Sequence, residues 1–309
     1  MRTEVVINGE GTASPLENPT LRGAWQRGVA RLADAGIDSA GLDAEVLLRH
    51  ALQFEQGEFY LRLHDRLSPL GQEKFEKLLE RRAAREPLAY ITENKEFWSR
   101  DFIVTPAVLI PRPETELLVD LALACAGDLT RSRRLKILDI GTGSGAIAVS
   151  LAKHLPESEV WAVDISSAAL GIAAANAKRH KVVKRMRFVR GDLFEAVDAA
   201  AVVFDLILSN PPYIRTAELA GLAPEIRDWE PLTALDGGAD GLDYYRRIIC
   251  AAPGYLNESG RLILEIGADL GEAVVDLFAC AGYFAPANIH RDYPGRDRAV
   301  IAVRATTGG

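Results

Sequence analysis

Between Leu135 and Arg304 short, uninterrupted apolar runs alternate with stretches of helical spacing: LKILDI, a helix over Ala146–His154, VWAVD, a helix over Ser167–Arg179, MRFV, a loop region, FDLILSN and RLILEIG. Strands that are apolar along their whole length are buried on both faces, so they belong to a parallel sheet with helices on either side. Right-handed crossovers then leave few topologies. The end of the chain breaks the pattern, because only YPGRD separates ANIHRD from RAVIAVR. That connection is too short for a crossover, so these two strands are expected as an antiparallel pair at the sheet edge. The expected class is α/β, a Rossmann-like and mostly parallel sheet with an antiparallel edge hairpin.

The sequence before this region is patterned differently. Residues 1–19 mix Gly, Asn, Ser and Pro without periodicity and read as a flexible tail. Thr20 caps a helix with Trp25, Val29 and Leu32 on one face, and Gly36 stands where a left-handed residue would end it. A second helix carries Ala44, Leu47, Leu48, Ala51 and Leu52 as a single stripe. A third begins with Ser68 as cap and Pro69 at its first position, buries Phe75, Leu78 and Leu79, and is stopped by Pro87. Its Arg81, Arg82 and Arg85 read as a solvated face, with an acidic partner as the alternative. These segments predict a helical domain over 20–87. From 88 to 110 the pieces LAYI, KEFW and DFIVT predict a β-hairpin linker, and the larger domain spans 111–309. It opens with a helix that cannot start before Pro113, with Glu114 and Glu116 at its positive end and Leu117, Leu118 and Leu121 along its face.

A chain of 309 residues fits two such domains, and 48% hydrophobic with 26% charged residues excludes a disordered, collagen-like or disulfide-scaffold protein. The formal charge of −7 gives no general attraction to nucleic acid or anionic lipid. No apolar run reaches the roughly 18 residues of a membrane span, and Arg2, Glu4, Glu10 and Glu17 interrupt any signal-peptide core, so a cytoplasmic protein is expected. Cys125, Cys250 and Cys280 are few and far apart and are expected to be small buried hydrophobes. His50, His64, His154, His180 and His290 are likewise scattered, and no metal is predicted.

The first chemical signal is Asp139-Ile140-Gly141-Thr142-Gly143-Ser144-Gly145-Ala146, between an apolar strand and a helix. Glycines there allow a tight turn and let a ligand reach main-chain N–H groups. The spacing suits a dinucleotide, S-adenosylmethionine (SAM) or a purely structural turn. Asp139 favours SAM, whose amino acid end is cationic. Asp164 ends the next strand, 23 residues after Gly141, where a carboxylate accepts the hydroxyls of a ribose or simply starts the following helix. Asp192 follows the third strand and is a candidate acceptor for an adenine amino group, or an Asx turn.

Asn210-Pro211-Pro212-Tyr213 is more specific. The two prolines donate no N–H and hold the local carbonyls extended, ready to accept from an NH2 group. An amide nitrogen is a poor nucleophile, so catalysis here rests on aim: the Asn210 side-chain oxygen and the Pro211 carbonyl hold both N–H groups, with the nitrogen roughly 3 to 3.5 Å from a methyl sulfonium. Tyr213 offers an aromatic wall. A plain turn is disfavoured because the tetrad ends a central strand, where open α/β sheets bind ligands.

With these residues in view, the chain resembles the HemK/PrmC-type glutamine methyltransferases of peptide chain release factors. The resemblance runs through AGIDSAGLDAEVLLRHAL, PLAYITENKEFW, LIPRPETELLVD, DIGTGSGAIA, SNPPYI, EPLTALDGGADGLDYYRRII and DYPGRDRAVIAVR. It implies a class I SAM-dependent methyltransferase fold with a small N-terminal helical domain that holds the release factor. It also implies SAM as methyl donor, S-adenosylhomocysteine as product, and the glutamine of the Gly-Gly-Gln loop of class I release factors as acceptor. Gly141 to Gly145, Asp164, Leu193 and Asn210 would surround the cofactor, and Asn210, Pro211, Pro212 and Tyr213 the substrate glutamine. Where the family has Gly in its Tyr-Ile-x-Gly linker, this chain reads Tyr90-Ile91-Thr92-Glu93-Asn94, and Asn94 is expected to take the left-handed turn.

The alternatives are an adenine-N6 methyltransferase, since the tetrad serves any planar amine, a glutamine methyltransferase of a ribosomal protein, a SAM-binding assembly factor without turnover, and a nicotinamide dehydrogenase. Net charge and the PRPETE context oppose the first. An intact tetrad opposes the third, and the last has no use for it. The chain is expected to act as a monomer with no membrane or nucleic-acid partner.

Overall fold

The computed structural model describes residues 19–129 and 134–305. The expected flexible tail lies, but for its last residue, outside them. The chain divides into two compact units, 1–92 and 93–309.

The first unit is helical: α1 (Leu21–Asp34), α2 (Ala40–Leu52), α3 (Gln56–Leu61), α4 (Pro69–Ala83) and α5 (Leu88–Thr92). The hydroxyls of Thr20 and Ser68 accept the Gly23 and Gly71 amides, both at 3.1 Å, so each caps its helix as its sequence requires. Leu32, Leu47, Leu48 and Phe59 are fully buried in the common core. The short α3 was not expected, since six residues give too little periodicity to show.

Two expectations are corrected. Of the three arginines expected as a solvated face, Arg81 is exposed and Arg85, just beyond α4, is half-buried, but Arg82 departs from it. Arg82 is buried and donates to Asp43 at 2.7 Å, while Ser39 donates to the other Asp43 oxygen at 2.8 Å. Arg81 grips Glu86 at 2.6 and 2.8 Å. Arg85 reaches the Gly36 carbonyl at 2.7 Å, in the turn that follows α1. The second correction concerns Leu88–Ile91, which is helical rather than extended. Pro87 opens this turn, its carbonyl accepting the Tyr90 and Ile91 amides at 3.0 and 3.1 Å, and Tyr90 and Ile91 are buried. A proline suits the first turn of a helix as well as it ends the one before.

The second unit begins with a hairpin, β1 (Asn94–Phe97) and β2 (Arg100–Ile103), followed by α6 (Glu116–Leu129). Only Trp98 and Ser99 join the strands, both at positive φ (50° and 57°), the conformation of the tight hairpin turn that usually takes Asn-Gly. Contacts hold the strained pair in place. The Trp98 amide donates to Glu116 at 2.7 Å, its indole donates to Asp120 at 3.0 Å, and its ring stands edge-on to His154 at 4.2 Å.

Just before the hairpin the left-handed residue is Glu93, with φ 53°, and not Asn94, which already belongs to β1. Glu93 is exposed and stands where the resembling family has glycine. A side chain at positive φ costs about 1–2 kcal/mol, and glycine gives back about half of that as unfolded-state entropy. Glu93→Gly is therefore expected to stabilise the protein by about 0.5–1 kcal/mol. Thermal or urea unfolding checks this, and a loss of stability would show that the Glu93 side chain contributes more than its strain.

The sheet follows: β3 (Lys136–Ile140), α7 (Ala146–His154), β4 (Glu159–Asp164), α8 (Ser167–Arg179), β5 (Met186–Arg190), β6 (Phe204–Ser209), α9 (Pro224–Arg227), α10 (Asp243–Ala251), β7 (Leu256–Glu265), α11 (Gly271–Ala281), β8 (Asn288–Arg291) and β9 (Asp297–Val303). Its strand order is β5-β4-β3-β6-β7-β9-β8, parallel through β7, with β9 and β8 antiparallel at one edge. Alternation along each strand divides the core in two. Ile137, Leu206, Leu208 and Ile263 share a cluster with buried residues of α6 and α7, whereas Leu138, Ile207, Leu262 and Leu264 share one with Tyr245, Ile248 and Phe278 of α10 and α11.

Of the cysteines, Cys125 is buried but Cys250 and Cys280 are exposed. Both exposed residues lie off the buried stripes of α10 and α11, which run through Tyr245 and Ile248 and through Val274 and Phe278. Among the described residues no helix is long and apolar enough to cross a membrane, and no group of three or more His, Cys, Asp or Glu side chains could hold a metal ion.

Candidate active site

Strand register assembles the site. Ile140 pairs with Val163 on one side and Ser209 on the other, and Ser209 pairs with Leu264. One residue beyond these pairs stand Asp164, Gly141, Asn210 and Glu265, in a row along the carboxyl ends of β4, β3, β6 and β7. The strand order reverses between β3 and β6, and such a switch point is where open α/β sheets hold ligands.

A cleft of about 900 Å³, open mouth included, lies there. It brings together Gly141, Gly143, Asp164, Asp192, Leu193, Asn210, Pro211 and Pro212 of the predicted residues, with an apolar lining that includes Val108, Ile165 and Tyr244. Asp164 starts the following helix, one of the two roles weighed for it, and also lines the cleft. Its Oδ1 accepts the Ser166 amide at 2.9 Å at the start of α8, its Oδ2 accepts the Gly143 amide at 2.9 Å, and the carboxylate lines the cleft. Asp192 is paired with Arg247 at 2.6 Å.

Asp139, Thr142, Ser144 and Gly145, expected to touch a cofactor, sit behind this wall and shape it. Asp139 has the parity of Ile137 in its strand, so its side chain points under the loop instead of out of it. There it accepts the Thr142 hydroxyl at 2.6 Å, and burial pushes its carboxyl up to about 7. Gly145 is confined twice over. Its φ is 79°, and an added Cβ would stand 3.0 Å from that of Ala173 in α8. Asn176, fully buried on α8, ties the loop down: it donates to the carbonyls of Ser144 (2.8 Å) and Ile103 (2.9 Å) and accepts the Ile103 amide (2.7 Å). Nothing in its helical sequence pattern marks it; only burial reveals it.

Tyr213 lies on a second cavity of about 540 Å³, which shares Leu109, Asn210, Pro211 and Ala234 with the cleft. Burial pushes the Tyr213 phenol up to about 12, so it stays protonated. Arg112 of the PRPETE segment also lines this cavity and grips the buried Glu230 with one nitrogen at 2.7 and 2.8 Å from its two oxygens. The LDGGADG stretch closes over the tetrad, Gly237 donating to the Ile214 carbonyl at 2.8 Å. A Cβ at Gly237 would lie 2.7 Å from the Tyr213 Cα, so no larger residue fits there without moving the tetrad.

Sequence reasoning missed Thr115 and Glu265. Asn210 donates through Nδ2 to Thr115 Oγ1 at 3.1 Å, which leaves Oδ1 as the free end of its amide. Glu265 is fully buried beside them, with hydrogen bonds from Thr115 and Asn210, and burial pushes its carboxyl up to about 7. The available signal was an acidic residue ending the apolar run RLILE, because a buried charge is the informative exception in a core.

The family models that match are the PrmC N-terminal domain over residues 23–92 and the methyltransferase small domain over residues 119–223. The "Release factor glutamine methyltransferase" of Moorella thermoacetica is 44% identical, over 92% of this chain and 99% of its own. That of Cereibacter sphaeroides is 46% identical, over 90% and 96%. Among solved structures the hMettl16 catalytic domain superposes with a TM-score of 0.52 at 15% identity, over 66% of this chain and 74% of that one, a likeness of fold alone. With relatives this similar over nearly its whole length, the chain belongs to the release factor glutamine methyltransferase family and is a methyltransferase enzyme.

Proposed function

We propose that this protein transfers the methyl group of SAM to the side-chain nitrogen of the glutamine in the Gly-Gly-Gln loop of class I peptide chain release factors, in the cytoplasm where those factors act. The observation that carries the reading is the meeting of two cavities at Asn210 and Pro211, one large enough for a nucleoside and an amino acid, the other lined by Tyr213.

The residues present fit SAM. A Cβ built on Gly141 meets nothing within 4 Å, so a ligand can lie directly on the loop, and the Asp164 carboxylate has lone pairs beyond the two amides it accepts. In this reading Asp164 holds the ribose, Leu193 and Ile165 flank the adenine beside Asp192, and the main chain at Gly141 and Gly143 faces the amino acid end. When bound, the cofactor supplies an electrophilic methyl group on a sulfonium. Asn210 Oδ1 and the Pro211 carbonyl accept the two N–H groups of the substrate amide and aim its nitrogen, while the Tyr213 ring walls the amide plane. The surplus proton of the methylated amide is strongly acidic and passes to water, so no dedicated base is needed. The helical unit, which matches the family's own N-terminal model, is assigned to holding the release factor.

The test is peptide mass spectrometry of an unmethylated release factor, with an adenine-containing DNA duplex in parallel, each incubated with enzyme and SAM. One methyl on the glutamine of the Gly-Gly-Gln peptide and none on DNA is expected. Methyl on DNA, or on another residue of the release factor, would replace this reading.

A further inference from the structure

The methyl transfer proposed above needs Asn210 to present its oxygen, and an amide can equally present its NH2. Strand alternation places Asn210 after Leu208 and Glu265 after Ile263 on the face covered by α6, and Thr115 immediately precedes that helix. Three polar groups from distant parts of the chain thus meet in a buried place. Thr115 is 5% exposed and Glu265 is 1% exposed, and Oε2 of Glu265 has no hydrogen-bond partner. A carboxylate with a spare oxygen is out of place in such a core unless its accepting character is used.

We propose that Glu265 is a positioning residue: it holds the Asn210 amide, directly and through Thr115, with Oδ1 turned to the substrate nitrogen. This inference rests on the reading above. An ionised carboxylate can only accept, so the Thr115 hydroxyl donates to Glu265 and its oxygen accepts from Asn210 Nδ2, at the observed 3.1 Å. The chain of donors then runs one way and the amide cannot turn over. A protonated Glu265 would itself donate to Thr115, the hydroxyl hydrogen would point at Asn210, and the amide would reverse, presenting NH2 to the substrate NH2.

The groups around Glu265 set where this happens. Burial raises its carboxyl, the acidic Glu114 ahead of α6 raises it further, and Arg298 on β9 lowers it, as do the Thr115 and Asn210 hydrogen bonds. Tyr213 and Tyr245 also face it, and the Tyr245 hydroxyl donates to the Glu265 main-chain carbonyl at 2.9 Å. With the carboxyl near 7, the productive orientation is complete above that pH and lost below it.

Two measurements test this on the full-length enzyme. In protein carrying 15N-asparagine, the side-chain NH2 signal of Asn210, assigned by its absence in Asn210→Ala, is expected to shift with a midpoint near pH 7 in wild type and to stay fixed in Glu265→Gln. For methyl transfer to a release factor, kcat is expected to fall about tenfold per pH unit below that midpoint in wild type. In Glu265→Gln that acid limb should disappear, and in both Glu265→Gln and Thr115→Val kcat at pH 8.5 should be reduced about tenfold, the worth of one orienting hydrogen bond. An Asn210 signal that ignores pH in wild type, or an acid limb that survives in Glu265→Gln, overturns the positioning role even where the glutamine is methylated. A release factor methylated elsewhere overturns the substrate reading, and the Asn210 signal still decides the orientation.

Discussion

Asn210→Ala is expected to bind SAM within about tenfold of wild type while kcat for methyl transfer falls about 10²–10³-fold. The Asn210 side chain borders the cofactor cleft but belongs to the hydrogen-bonded group around Thr115 and Glu265, so its loss removes an acceptor for the acceptor amide rather than an anchor for the nucleoside. Without Oδ1 the substrate nitrogen keeps one hydrogen bond, to the Pro211 carbonyl, and can swing about it. A misplacement of about 1 Å at a reacting atom is worth about a hundredfold in rate. The loss should therefore fall on kcat, with KM for the release factor little changed, because a protein substrate draws its affinity from a wide surface. Single-turnover kinetics with saturating SAM and a titration of SAM separate the two quantities. Near-normal turnover in Asn210→Ala would remove the amide from the tetrad.

Asp164→Ala is expected to act on the other partner and on the fold together. Charge-assisted hydrogen bonds to ribose hydroxyls are worth about 1.5–3 kcal/mol each, so the loss of one lowers SAM affinity about 10–100-fold and the loss of both about 10²–10⁴-fold. The same carboxylate accepts the Gly143 and Ser166 amides, which the alanine variant leaves without that partner. Unfolding should therefore come about 1–3 kcal/mol more easily even without ligand. Calorimetric titration and thermal unfolding of ligand-free protein read these effects separately. Unchanged SAM affinity in a folded variant would contradict the ribose assignment and leave Asp164 as a loop and helix-start residue.

The features legible in the residue order alone are local or periodic. Uninterrupted apolar runs between amphipathic stretches dictate a covered parallel sheet, a short Tyr-Pro-Gly connection dictates antiparallel pairing, and Thr20, Ser68 and Pro69 mark helix starts through groups that act within one turn. The Gly loop and the Asn-Pro-Pro-Tyr tetrad are legible for the same reason, since their chemistry lies in adjacent residues. Which of these residues meet depends on packing between distant segments. Register placed Asn210 beside Gly141 and Glu265. Strand parity turned Asp139 under the loop it was expected to line. Burial converted Arg82 from a surface charge into the partner of Asp43, and made Asn176, Thr115 and Glu265 supports of the site. The desolvation that compels each of these groups to find a partner arises only when segments as distant as Thr115 and Glu265 close around the same point, and no local pattern in either segment carries it.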